Sequence, residues 1–302
     1  VVGEKLRPVR DLHLTRDLIG LPSSDEGSLI SSRIVTTKPI HPMKLSSRAV
    51  IAVLNASAWR VIKRHAAETA VENARHGLTN EARVDVKICA HHALESIAEL
   101  HSEARLEHYR LTLPCADKGL RLLPAARQFE HSQIMQDFGA RIQQLVTKFL
   151  ADYDTVRTDA PARLNGLYVA AHWPTHDVVA SKFSFTTRYL PVPDVGQWAE
   201  WFAEASACAQ EELRDRLSDA IRKVAVKLRD PKGIFRDTLV SNLAEVLALV
   251  PDLNLADDPQ IAELARQAGD LVEHDASTLR DDPIARANTA SRADEICSLF
   301  SL

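Results

Sequence analysis

Histidine is the side chain with the widest chemical repertoire in this sequence, and it is unevenly placed. His91, His92, His101 and His108 fall close together, with Glu95 and Glu99 among them. On a helix His101 and His108, seven apart, share one face, while His92, Glu95 and Glu99 share another. Metal centres in helical proteins take ligands at i, i+3 or i+4 and complete the shell from a second element. His92 with Glu95 or Glu99 supplies half of such a set. Packed or solvated histidines account for the same spacing, so no metal ligand and no cofactor are assigned.

Other chemistries need spacings that the chain lacks. Phosphate loops require closely spaced glycines so that backbone N–H groups reach oxygen atoms. No two of the 10 glycines here lie within five residues of each other. No GxSxG elbow, HExxH helix or EF-hand loop occurs. Cys89, Cys115, Cys208 and Cys297 are too far apart for a CxxC motif and suit a reduced compartment. The expectation is a protein that is not an enzyme, with no catalytic residue.

A second constellation is electrostatic. Between Gly27 and Ala67 there is no Asp or Glu, yet Arg33, Lys38, Lys44, Arg48, Arg60, Lys63 and Arg64 occur there, with His41 and His65. Such groups bind phosphate backbones by charge neutralisation and counter-ion release. Trp59, beside Arg60, could stack on a base. The competing assignments are a solvated helix face, a pairing with acidic groups elsewhere, and a core role for Trp59. Residues 1–150 hold 21 Lys/Arg against 16 Asp/Glu, and residues 151–302 hold 16 against 25. A chain polarised in this way steers anionic partners or favours pairing between its halves.

The elements that would carry these residues are mostly helical. Aromatic content is 5% and glycine is scarce, which disfavours sheets and their tight turns. Residues 8–19 read as a short helix, 21–28 as a loop and 34–37 as extended. Apolar spacing at Val50, Leu54, Ala58, Val61 and Ile62 predicts one helix from 46 to 75, closed by Gly77. A second is predicted from 79 or 80, through Ile97. Residues 109–123 and 183–190 read as short strands. A helix over 125–158 carries an apolar seam of Phe138, Ile142, Leu145, Phe149, Tyr153 and Val156, with a stutter at Asp152. From 195 to 228, Trp198, Phe202, Ala205, Ala209, Leu213, Leu217, Ile221, Val224 and Leu228 form one stripe. Helices over 234–249 and 260–273, and one after Pro283, complete the chain.

The expected fold is therefore mainly α. Long amphipathic helices would form an elongated bundle or coiled-coil-like arrangement, with a small β element at 109–123 and 183–190. Three regions follow from charge and pattern: a basic helical region at 1–108, a central region at 109–229 and an acidic helical region at 230–302. No apolar run approaches the roughly 18 residues of a membrane span. The first residues do not read as a signal sequence. A cytoplasmic protein without membrane contact is expected.

The string Phe235-Arg236-Asp237-Thr238-Leu239-Val240-Ser241-Asn242-Leu243, followed by Leu253-Asn254-Leu255 and Asp258-Pro259, resembles the domain of unknown function 3150 family. Gly119 to Pro124, Phe183-Ser184-Phe185 and Tyr189-Leu190-Pro191 are similar to its central block. The resemblance covers roughly residues 109–273 and departs over 78–108. It implies a tailed-phage or bacterial origin, a bacterial host cytoplasm, and a MoxR-type AAA ATPase as a possible partner. It carries over no activity and no site residue. The function expected on these grounds is a helical interaction or assembly protein that self-associates or binds a protein partner. The alternative is a DNA- or RNA-binding accessory of replication or recombination that uses residues 27–67.

Overall fold

A computed structural model of the chain describes residues 42–115, 119–193, 199–230 and 233–302. The short helix at 8–19, the loop at 21–28, the extended segment at 34–37, Arg33 and Lys38 lie outside them, as does Trp198. Over 46–75, where one helix is predicted, the chain instead forms α1 (Pro42–Arg48), β1 (Ala49–Ser57), β2 (Ile62–Arg64) and α2 (Ala66–Arg75). Val50, Ile51 and Val53 are β-branched and favour the pleated surface. The first half of β1 is also buried on both faces, so its apolar run has neither a helical nor an alternating period. Only its pairing partners, far along the chain, decide the outcome.

Those partners are β5 (Arg121–Pro124) and β6 (Ser184–Pro191), both antiparallel to β1, with β4 (Leu113–Pro114) added outside β5. The order β4-β5-β1-β6 makes a four-stranded sheet. The strand predicted at 183–190 is therefore present close to its expected limits, while the element predicted at 109–123 is shorter, since 109–111 are helical and β4 spans two residues. Val50 opposes Pro191 and Ser57 opposes Ser184, giving eight register pairs between β1 and β6. The lower end of β1 packs through Ala49 and Ile51 into the core around the C-terminal helices, and Leu54 faces the core beneath the central helices.

α2 ends where expected. Gly77 has φ +64°, and the Leu78 amide bonds back to the Asn73 carbonyl, a left-handed helix stop. No helix starts at 79. Instead the segment up to β3 (Asp85–Lys87) is held to α2 by side chains. Asn73 Oδ1 accepts from the Ala82 amide, its Nδ2 donates to the Ala82 carbonyl, and Thr69 Oγ1 accepts from the Val84 amide. β3 then pairs with β2 in a two-stranded sheet. The helix expected in this region begins later, as α3 (His92–Leu111). It runs unbroken across the limit expected at 108.

α4 (Gln128–Leu164) packs on α3, over β6 and against the short α5 (His176–Ala180). Phe138 and Ile142 pack with Ile97 and Leu100 of α3, and Phe149 and Tyr153 enter an aromatic cluster with Trp59 and Trp173. Gly139 of α4 lies against the Phe185 ring of β6, where a Cβ would be in van der Waals contact at 3.4 Å. In the C-terminal part, α6 (Ala199–Arg229) is wrapped by α7 (Thr238–Leu253), α8 (Pro259–Ala268), α9 (Ala276–Asp281) and α10 (Pro283–Leu299). Ala205, Ala209, Leu213, Leu217, Ile221, Val224 and Leu228 are all buried, as the stripe predicted. The described residues belong to one compact unit, mainly helical with a small antiparallel sheet. Among the described residues no helix is long and apolar enough to cross a membrane.

Because the seam of α4 is filled by this chain's own side chains, its loss acts on stability. Phe149→Ala is expected to cost about 3–5 kcal/mol in chemical denaturation, independently of protein concentration. A concentration-dependent loss, or a smaller species in solution, would instead assign the seam to a partner chain.

Candidate functional site

The basic window divides once it is folded. Arg48 is consumed internally: its Nη1 sits 2.6 Å from Asp257 Oδ1 and 3.3 Å from the Leu255 carbonyl, tying α1 to the turn before α8. The Lys44 side chain lies outside the described atoms. Trp59 is buried, with ring centroids of Tyr153 and Trp173 at 5.5 and 5.6 Å, so its ring is core and offers no face to a base. Arg60 and Arg64 are exposed and Lys63 is half-buried on β2, and among the described residues none of the three has a carboxylate within ion-pair range.

Folding brings His65, already part of the window, near His172, which sequence spacing does not reveal. His65 caps α2, its Nδ1 accepting from the Glu68 amide at 3.2 Å, and His172 lies on a 3-10 turn (Ala170–His172). Burial lowers the His172 pKa, and the nearby Lys63 and His65 lower it further. Lys63 and His65 thus lie near enough to His172 to disfavour its charged form. Acid does stand close by, because β3 brings Asp85 opposite Arg64, where it pairs with Arg83 at 2.9 Å. The window is free of acid along the chain but not across the strands.

The histidine group is also resolved. His91 caps α3, with Nδ1 accepting from the Ala93 amide at 3.2 Å, which places its proton on Nε2 facing Asp152 at 3.1 Å. Glu95 is engaged by Lys87 at 2.6 Å rather than joining His92. Among the described residues no three His, Cys, Asp or Glu side chains gather as metal ligands. His101 and His108 share a face as predicted, and both are buried. His101 stacks on Phe185 with its Nε2 unpartnered, as is Thr187 Oγ1, among the described residues.

His108 is part of a buried relay that sequence could not supply, because its members come from three elements. Its Nδ1 lies 2.9 Å from Nε2 of His131 on α4, whose Nδ1 lies 2.8 Å from the Tyr189 hydroxyl on β6. Ser132 in turn bonds Tyr189. With the Tyr189 hydroxyl donating to His131, and His131 Nε2–H donating to His108, two neutral imidazoles satisfy the chain. Burial is the main cause that pushes His108 to about 3, aided by the charges of His131 and Arg121, and that pushes His131 to about 4 against an opposing pull from Glu130. Arg121 itself donates to Thr112, whose hydroxyl donates to the His108 carbonyl.

Comparison with known proteins adds no relative to this geometry. No protein-family model, curated protein or solved structure matches the chain. The reading of the site therefore rests on its own residues.

The relay fixes the sign of the pH dependence. Both imidazoles stay neutral in the folded chain well below 6.5, their ordinary value, whereas the unfolded chain takes up protons there. Stability is thus full above that value and falls as pH drops through 4 toward 3, by a few kcal/mol in all. Urea titrations at pH 7 and at about pH 4.5 measure it, and His108→Gln with His131→Gln should flatten the dependence. A midpoint that does not move with pH in the wild-type protein would contradict the assignment.

Proposed function

We propose that this chain is a non-catalytic helical accessory protein that engages nucleic acid through the basic surface that Arg60, Lys63 and Arg64 form on and beside β2. The observation that supports this reading is the group of Arg60, Lys63 and Arg64 on and beside β2, none of which has a carboxylate within ion-pair range among the described residues. Cations without an ion-pair partner of their own are what a phosphate backbone engages, with release of bound counter-ions. Contact would be to phosphates rather than to base faces, since Trp59 is committed to the core. Binding should therefore depend little on sequence and strongly on salt. By its resemblance to the domain of unknown function 3150 family, we place the protein in a phage or bacterial setting, in the host cytoplasm, with an AAA ATPase as a candidate partner.

A second reading, self-association, is favoured by a different surface from the one that sequence suggested. The α4 seam and the α6 stripe are occupied within the chain, but β6 is the outermost strand of its sheet, and among the described residues no strand pairs with its far edge. An open edge is a template for a further strand. Pairing through β6 would thus replace a coiled coil as the route to an oligomer.

Titration of labelled single- and double-stranded DNA over a range of salt concentrations tests the main reading. The expected result is an affinity that falls steeply with salt, and a triple variant Arg60→Glu, Lys63→Glu, Arg64→Glu whose log–log salt slope is lower by about 2–3. Affinity that ignores salt, or that the triple variant retains, would overturn it. Light scattering addresses the second reading, which a strict monomer at high concentration would remove.

A further inference from the structure

Residues 230–302 carry 14 Asp/Glu against 6 Lys/Arg, yet one cleft in this acidic region is lined by three arginines. It opens between the end of α6, the end of α9 and one face of α10, with a volume of about 290 Å³. Arg229, Arg280 and Arg286 line it, and Asp294 is the one carboxylate among its lining residues. Leu228, Pro283, Ala287 and Ala290 provide an apolar wall.

Arg286 is the fixed part. It is 8% exposed, and its Nε and Nη2 donate to the carbonyls of Lys227, Leu228, Asp230 and Gly233 at the end of α6. The Lys227 and Leu228 carbonyls are among those that a helix leaves without partners, and their dipole favours a cation. The bonds hold the guanidinium plane in place, and Nη1 makes none with any described residue. Arg280 lies beside it: both guanidinium carbons stand over the Phe235 ring, at 5.9 and 5.1 Å from its centroid. Arg280 pairs outward with Asp237 at 2.7 Å, and Arg229 pairs with Asp294 across the cleft. With Arg229 paired to Asp294 and Arg280 to Asp237, the three arginines leave an excess of one positive charge, that of Arg286, in a confined space. Guanidinium groups with open N–H edges match phosphate oxygens in geometry as well as charge.

We propose that this cleft binds a small phosphate monoester, a dianion, with Arg229, Arg280 and the open Nη1 edge of Arg286 on the phosphate and the organic part against Ala287 and Ala290. Asp294 then acts as the resident competitor for Arg229, displaced or repelled when the ligand enters. The site is separate from the β2 surface, so it stands or falls independently of nucleic-acid binding.

Isothermal calorimetry and thermal denaturation of the full chain test this, with glycerol 3-phosphate and a nucleoside monophosphate as probes and inorganic phosphate and succinate as comparison arms. Saturable binding of an ester, on the order of millimolar or tighter, is expected, with a rise in Tm. Arg229→Gln and Arg280→Gln should each weaken it by about tenfold, and Asp294→Asn should tighten it several-fold. Arg229 and Arg280 are partly exposed, and circular dichroism of each variant confirms that it is folded. No saturable binding of either ester overturns the proposal, as does equal binding to the wild type and the Arg229→Gln, Arg280→Gln double variant. Succinate binding more tightly than the esters overturns the ligand class. Inorganic phosphate binding as tightly as the esters overturns the role given to the apolar wall. Retention of ester binding by the Arg60, Lys63, Arg64 triple variant separates this site from the nucleic-acid surface.

Discussion

The antiparallel pairing of β1 with β6 along eight residues, and with β5 along four, joins three parts of the chain that lie far apart in sequence. Because β1 is bonded on both edges, its register fixes the heights of the other two strands. A slip by one residue would turn Leu54 and Phe185 away from α3 and α4 and bring Asn55 and Thr186 beneath them. The same strand continues into Trp59, which anchors the aromatic cluster at the far end of α4. At its near end, Ala49 and Ile51 seat the sheet on the core built around α6. The sheet is small, yet both helical layers are positioned against it.

Charge follows a comparable division of labour. The chain is basic in its first half and acidic in its second, and folding uses part of that difference internally. Arg48 meets Asp257, and Arg127 meets Asp252 at 2.6 Å, each joining the two halves. Arg216 of α6 donates to the Thr112 carbonyl before β4, a bond of the same reach. These contacts add positional definition more than net stability, since partly exposed pairs contribute little. What remains after them is informative: Arg60, Lys63 and Arg64 at one place, and the arginine-lined cleft at another.

Periodicity revealed the parts of this fold whose burial is one-sided. α6 and α4 show a long apolar stripe because one flank meets the core and the other meets water; α6 ends one residue past its expected limit, whereas α4 runs on through Pro161 to Leu164. The strand at 183–190 was visible because Phe183, Phe185, Thr187 and Tyr189 alternate. β1 was not, since a strand covered on both faces has no period to read, and no Gly or Pro marks its ends. At the candidate sites, Arg60, Lys63 and Arg64 were legible as a run of like charge. His172 was not, being joined to them only by folding, and neither was the pairing of Arg48. The relay of His108, His131 and Tyr189 draws on a helix, a second helix and a strand. The three arginines of the cleft are likewise scattered through an acidic stretch that conceals them.

Placing the partner of β1 at residues 184–191 also sets an order of events during synthesis. A ribosome adding roughly 5–20 residues per second releases β1 well before β6 exists, an interval on the order of ten seconds. Throughout that time an apolar strand has neither edge satisfied until β5 arrives, and one edge open until β6 does. α3 and α4, built from contacts nearer in sequence, can associate earlier and present the surface on which the late strand lands. The nascent chain is therefore most exposed to wrong pairing in its middle stages, and a chaperone would find its target at Ala49–Ser57.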